Sequence, residues 1–121
     1  MKVLFISAGF LPANSHGGVT FSSFYLASSL KLHGCEVRVI TTDRNGSSKL
    51  KVPLDCWEIF SGLPVWYSST LPGPYILSKT IHLAIKQSVK WADIVISSST
   101  LWDYSGFITY FYCKINRTPH V

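Results

Sequence analysis

"HGGVTFSSFYLASSLKLHGCEVRVITTD", residues 16–43, is the stretch whose reading decides the fold. It opens on a glycine pair, runs through a segment of helical periodicity, stops at a single glycine and passes into a run of valine, isoleucine and threonine. From Val19 to His33 the residues Val19, Ser23, Leu26, Ala27 and Leu30 recur at spacings of three and four, which places them on one face of a helix. Gly34 stands where a helix ends in the left-handed conformation. Glu36 to Thr42, EVRVITT, then has the β-branched content of a strand.

Upstream, Lys2 to Ser7 is a short apolar run bounded by Ala8-Gly9, the pattern of a strand buried on both faces. Ala8 to Gly18 holds Gly9, Pro12, Asn14 and the Gly17-Gly18 pair, a composition that favours a loop of about ten residues. Such a loop is long for a plain connection. Strand, loop, helix, turn and strand in succession make a βαβ unit, with parallel strands and a right-handed crossover.

The rest of the chain repeats the alternation. Asp43 to Lys51, DRNGSSKLK, reads as a polar loop, and Trp57 to Tyr67 as a third strand region with a hairpin or kink at Gly62 and Pro64. Thr70 to Tyr75 is a turn leading into a helix from Ile76 to Trp91, with Leu77, Ile81, Ala84 and Ile85 on one side and Lys79, His82, Lys86 and Lys90 on the other. Asp93 to Ser97 reads as a fourth strand, Asp103 to Lys114 as a helix, and Arg117 to Val121 as the opening of a fifth strand. The fold class expected is α/β, a Rossmann-like open parallel sheet with flanking helices.

With 121 residues the chain has room for one domain, and 47% hydrophobic against 14% charged residues excludes a disordered polymer. The net charge of +5 comes from Lys and Arg that are scattered, without a basic run, so nucleic acid is not expected as a partner. Cys35, Cys56 and Cys113 are widely spaced and form no CxxC or Cys/His cluster, which suits reduced thiols in a cytoplasmic protein. The scattered His residues and the lack of a carboxylate pair at ligand spacing suggest neither a metal site nor a cofactor, and no nucleophile and base announce themselves. No stretch reaches the ~18 uninterrupted apolar residues of a membrane span.

The glycine pair has two readings. At the carboxyl end of a first parallel strand, the next helix presents free backbone N–H groups and the positive end of its dipole, and a glycine without Cβ lets a phosphate or sugar hydroxyl come close. The other reading is a tight helix entry. Neither G-x-G-x-x-G nor the P-loop pattern is present. Asp43 stands where dinucleotide folds hold a ribose, although an Asp at a strand end is more often a turn former.

The order of Pro12, Gly17, Gly18, Leu26, Ala27, Leu30, Gly34, Glu36 and Val37, with WADIVISSSTLW at 91–102 and NRTPHV at 116–121, resembles the amino-terminal domain of family 4 glycosyltransferases. These are retaining, nucleotide-sugar-dependent enzymes of GT-B fold. The resemblance covers nearly the whole chain and is weakest from Lys49 to Pro74. It implies an acceptor-side domain over residues 1–121, truncated and without the donor-binding domain, inactive by itself. It also implies that Gly17 and Gly18 lie near the donor diphosphate, and it makes Asn14, His16, Thr20, Ser98 and Trp102 candidates for acceptor or donor-sugar contacts. The partners implied are a nucleotide-sugar donor and a glycan or lipid-linked acceptor. Thr20 departs from the Glu that members often carry, and Ser97, Ser98 and Ser99 stand where they often carry His.

Two further groups have paired readings. Lys79, Lys86 and Lys90, with His82 and the nearby Trp66, Tyr67, Tyr75 and Trp91, suit either a peripheral contact with the inner face of a membrane or the solvated face of a sheet-covering helix. Trp102, Tyr104, Phe107, Tyr110, Phe111 and Tyr112 suit core and cleft wall better than a stacking platform for single strands. A non-catalytic nucleotide or phosphosugar-binding module is the alternative function.

Overall fold

A computed structural model describes residues 1–7, 10–11, 18–45, 48–70, 80–97 and 104–121, with the backbone alone at 18–20, 44–45, 48–49 and 104–107. Strand β1 (Lys2–Ile6) is followed by helix α1 (Gly18–Leu32) and strand β2 (Glu36–Thr42). The turn between α1 and β2 fixes how the two strands meet. Cys35 N–H donates to Leu30 O at 3.0 Å and Gly34 N–H to Lys31 O at 3.1 Å, while Gly34 adopts φ +91°. This is the paired closure that satisfies the last helical carbonyls and needs a left-handed residue. Two residues later Glu36 N–H donates to Met1 O at 2.9 Å, so the helix stop delivers the chain into parallel register, Lys2 opposite Glu36 through Ile6 opposite Ile40.

Beyond β2 the expected polar loop contains a short antiparallel hairpin, β3 (Arg44–Asn45) with β4 (Ser48–Lys49). Strands β5 (Trp57–Phe60) and β6 (Leu63–Ser68) then pair antiparallel across Ser61 and Gly62, whose φ values are 49° and 81°. Positive φ at both central residues is the type I′ geometry that matches strand twist, and a two-residue connection permits only antiparallel pairing. The hairpin expected near Gly62 and Pro64 is thus present with its turn at Ser61-Gly62, and it makes the expected open parallel sheet a mixed, mostly parallel one. Gly62 also lies under Lys31, whose ammonium donates to the Gly62 carbonyl and would stand 2.9 Å from an added Cβ.

Helix α2 (Thr80–Trp91), strand β7 (Ile94–Ser97) and helix α3 (Tyr104–Asn116) complete the order. β7 lies parallel to β1, from Val3 opposite Ile94 to Ile6 opposite Ser97. The last residues enter the sheet beside it, as expected: Val95 N–H donates to Pro119 O at 2.9 Å, and Ser97 N–H to Val121 O at 3.0 Å. The five-stranded sheet runs β5-β6-β2-β1-β7, with β6, β2, β1 and β7 parallel.

Helices cover both faces. Val3, Phe5, Val37, Val39 and Val65 pack with Ala27, Phe24 and Leu30 of α1, while Leu4, Ile6, Ile40 and Val95 pack with α2 and α3. On α2, Ile81, Ala84, Ile85, Ser88 and Val89 are buried, as the periodicity requires; each fully buried Ile is worth about 1.5–3 kcal/mol relative to exposure. Leu77 lies outside the described residues, as does the expected helix start at Ile76. On α1 the expected face is only partly right. Ser23 and Ala27 are buried, but Leu26 is 46% exposed, because Phe24 one turn before Ala27 takes the space beneath α1. Tyr110 and Phe111, expected in core or cleft wall, are 45% and 49% exposed on α3, whereas Ile108 and Cys113 carry its core contact.

Gly34→Ala forces a Cβ into the left-handed region with no new contact to offset it. The expected loss is about 1–2 kcal/mol of stability, measured by urea unfolding.

Candidate functional site

Four neighbouring parallel strands finish on hydroxyl residues. β1 runs into Ser7, β2 ends on Thr41-Thr42, β6 runs through Ser68 to Ser69-Thr70, and β7 ends on Ser97. The sheet order places these termini side by side along one edge, with Thr42 opposite Ser68 and Ser97 opposite Ile6. Ser7, Thr41, Thr42, Ser68 and Thr70 are buried. Ser7 N–H donates to Ile40 O at 3.1 Å, which carries the β1 and β2 pairing to the rim. The signal was present in the sequence as IS, ITT, SST and ISSST, and was missed because Ser and Thr after a strand read as loop residues.

Thr41 Oγ1 and Ser68 Oγ are buried without a hydrogen-bond partner among the described residues, and so is Trp66 Nε1. Such groups cost about 1–3 kcal/mol each, so they are exceptions in a folded chain. Thr41 faces the α1 side with Tyr67, and Ser68 faces the α2 side, so orphan hydroxyls stand on both faces of this edge.

Asp43 is buried at the same edge. Its carboxylate accepts from Thr70 N–H at 3.1 Å and from the Thr70 hydroxyl at 2.7 Å, while its own N–H donates to Ser68 O at 3.0 Å and its carbonyl accepts from Leu50 N–H at 2.7 Å. The group ties the end of β6 to the end of β2. Among the two sequence readings of Asp43, the turn-forming one describes it. Asp55 does similar work nearby, in left-handed conformation at φ 58°. Burial pushes its carboxyl up, but the Thr80 hydroxyl and the Ser69 N–H and hydroxyl outweigh that and hold it below its ordinary 3.8. Tyr67 donates its hydroxyl to Leu11 O, and burial pushes the phenol up to about 12.

The residues singled out by the resemblance are placed unevenly. Gly18 is the first residue of α1, and Thr20 lies in its first turn, so the helix start belongs to the edge reached after β1. Asn14, His16, Gly17, Ser98, Trp102 and Lys79 lie outside the described residues. Lys86 and Lys90 are exposed on α2, with Leu83 also exposed beside them. His82 departs from that basic face: its ring nitrogen meets the Tyr112 hydroxyl, and its ring packs edge-on to Tyr112 at 5.3 Å. Tyr67 departs too, being buried on the α1 side, whereas Trp66 packs on the α2 side and Trp91 is stacked by the Arg38 guanidinium at 4.1 Å.

Concavities are formed by described residues away from this edge as well. One of about 350 Å³ is lined by Lys31, Glu36, Arg38, Gly62, Pro64 and Trp91, at the amino ends of β2 and β6. Among the described residues no group of His, Cys, Asp or Glu is arranged to hold a metal ion, and no helix is long and apolar enough to cross a membrane. No family model, curated protein or solved structure matches the chain.

Removing the Asp43 carboxylate leaves the Thr70 N–H and hydroxyl without their shared acceptor. Asp43→Ala is expected to lower stability by about 1–3 kcal/mol in urea unfolding, well beyond the effect of a surface substitution. The Tyr67 phenol predicts an alkaline limit: its folded value of about 12 exceeds the ordinary 10, so its stabilisation is complete below 10 and is lost as pH rises towards 12. Near-ultraviolet tyrosinate absorbance should show a late-titrating tyrosine that is lost in Tyr67→Phe.

Proposed function

We propose that this chain is an acceptor-side βα domain of a retaining, nucleotide-sugar-dependent glycosyltransferase, the Rossmann-like amino-terminal half of a GT-B architecture. The observation that carries the reading is the row of hydroxyl residues at the carboxyl edge of β6, β2, β1 and β7, beside the start of α1 at Gly18. In open α/β sheets ligands bind outside the carboxyl ends of the strands, where the strand order reverses. Here the order reverses between β1 and β7: the chain builds outward from β1 to β2 and β6, then returns to β7 on the other side.

The chemistry supports a polyhydroxy ligand. Ser and Thr hydroxyls both donate and accept, as sugar hydroxyls do, and the Asp43 and Asp55 carboxylates beside them accept from Thr70, Ser69 and Thr80. The positive end of α1 adds a preference for a phosphoryl group at Gly18, which suits a donor diphosphate or a lipid-linked phosphate at the border of the same edge. In such an enzyme the nucleotide is held by a second βα domain and chemistry occurs between the two, with charge developing on the leaving diphosphate met from both sides. This chain then supplies the acceptor wall, on the cytoplasmic face, with Lys86 and Lys90 available to an anionic membrane surface.

The test is amide-resolved NMR titration of the chain with neutral oligosaccharides and, separately, with UDP- and GDP-sugars. Oligosaccharides are expected to shift Ser7, Thr42, Asp43 and Ser97 saturably, with affinities on the order of millimolar. Tight nucleotide-sugar binding at that edge without any response to oligosaccharides would replace this reading by the non-catalytic binding module. A silent edge with both probes would overturn it.

A further inference from the structure

The two long helix stops of this protein use one geometry with different residues. α1 closes on Gly34, and α3 closes with Thr118 N–H donating to Cys113 O at 2.9 Å and Arg117 N–H to Lys114 O at 3.4 Å. The left-handed position is Gly34 in the first and Arg117, at φ 54°, in the second. A glycine takes that conformation freely, whereas an arginine is crowded there by its Cβ. A residue that breaks a local rule at the wall of a cavity points to use of its side chain.

Arg117 does border a cavity, of about 400 Å³, shared with Tyr110, Cys113, Lys114, Thr118 and His120. The lining has three basic side chains and no carboxylate, and residues 104–121 contain no Asp or Glu. Lys114 leans on Tyr110, its ammonium 3.4 Å from the phenol oxygen and 5.6 Å from the ring centroid. The side chains of Arg117 and His120 have no hydrogen-bond or ion-pair partner among the described residues.

The backbone carrying these groups is held from both sides. Thr118 donates its hydroxyl to Val89 O at 3.3 Å, and residues 119–121 are bonded along β7 through Val95. A fixed frame reduces the ordering that a ligand must impose. Burial pushes the His120 imidazole below its ordinary 6.5, so at neutral pH it offers one N–H while Lys114 and Arg117 supply the charge. Burial also pushes the Cys113 thiol up to about 11, which keeps it protonated at neutral pH.

We propose that this cavity binds the phosphate group of a small phosphorylated molecule, with Arg117 and Lys114 on the phosphate oxygens, His120 donating beside them and the Tyr110 ring against the organic part. A space of this size exceeds a bare phosphate and lies in the range of small-molecule sites. The site is separate from the hydroxyl edge, since residues 117–118 precede the strand pairing at His120 and so lie at its amino end.

Calorimetry and amide-resolved NMR with inorganic pyrophosphate test this. Saturable binding is expected, with shifts at Lys114, Arg117, Thr118 and His120, and with little response to sodium chloride at matched ionic strength. Arg117→Gly relieves the crowded backbone, so it should unfold at the same or a higher temperature while binding pyrophosphate at least about tenfold more weakly. Lys114→Gln, on an exposed helical turn, provides a second charge removal with the same expected loss. No saturable binding to the unaltered chain, equal binding by both variants, shifts confined to the hydroxyl edge, or an equal response to sodium chloride would each overturn the proposal.

Discussion

The structure depends on β1 being paired along both edges and covered on both faces. Its hydrogen bonds run to β2 on one side and β7 on the other, and its side chains alternate into two cores, Val3 and Phe5 towards α1, Leu4 and Ile6 towards α2 and α3. A strand so placed has no solvent-facing position for a polar residue, which is why KVLFI is apolar throughout after Lys2. Pairing on both edges also forces the chain to leave β2 and β6, cross by α2 and return on the far side of β1, and that crossing creates the reversal of strand order. The hydroxyl edge is the consequence: β1 joins the termini of β2 and β6 on one side to that of β7 on the other.

Much of this could be read from the residues because its causes are local. β2 has the bounds that its valines and isoleucine indicate, and Gly34 ends α1 because only a residue without Cβ meets φ +91° without crowding. Features that depend on partners were less legible. The apolar residues of α1 are almost contiguous, Phe21, Phe24, Tyr25, Leu26 and Ala27, so the spacing alone admits more than one buried face. Contact with Phe10 and Phe60, 6.0 Å and 6.1 Å from the Phe24 ring, selects the face that leaves Leu26 outside. The antiparallel edge is similar in kind, since Ser61-Gly62 shows its turn type only through paired positive φ values.

At the functional edge the residue types were visible but their assembly was not. Ser7, Thr42, Ser68 and Ser97 are separated by long stretches of chain, and only the sheet order gathers them. Asp43 illustrates how one residue supports two readings until its partners are known: its Oδ1 accepts from both the N–H and the hydroxyl of Thr70, which makes it a brace at the base of the edge. The basic helix divides in the same way. Lys86 and Lys90 remain in solvent, but His82 turns inward to Tyr112, and of the aromatic rings expected beside the lysines Trp91 is engaged by Arg38 while Trp66 and Tyr67 belong to the sheet. Among the described residues, basic side chains stand on the outer face of α2 and at the end of α3, while Asp43 and Asp55 set carboxylates beside the hydroxyl edge.

Amide hydrogen exchange under native conditions tests the central position of β1 most directly, because exchange reports how much of the fold must open to expose each N–H. The account predicts that Leu4, Phe5 and Ile6, with Val39 and Ile40 of β2, exchange most slowly, and that Trp57 to Phe60 at the edge exchange far sooner. Exchange of β1 as fast as that edge would contradict the strand order, and with it the assembly of the hydroxyl residues on one side of the sheet.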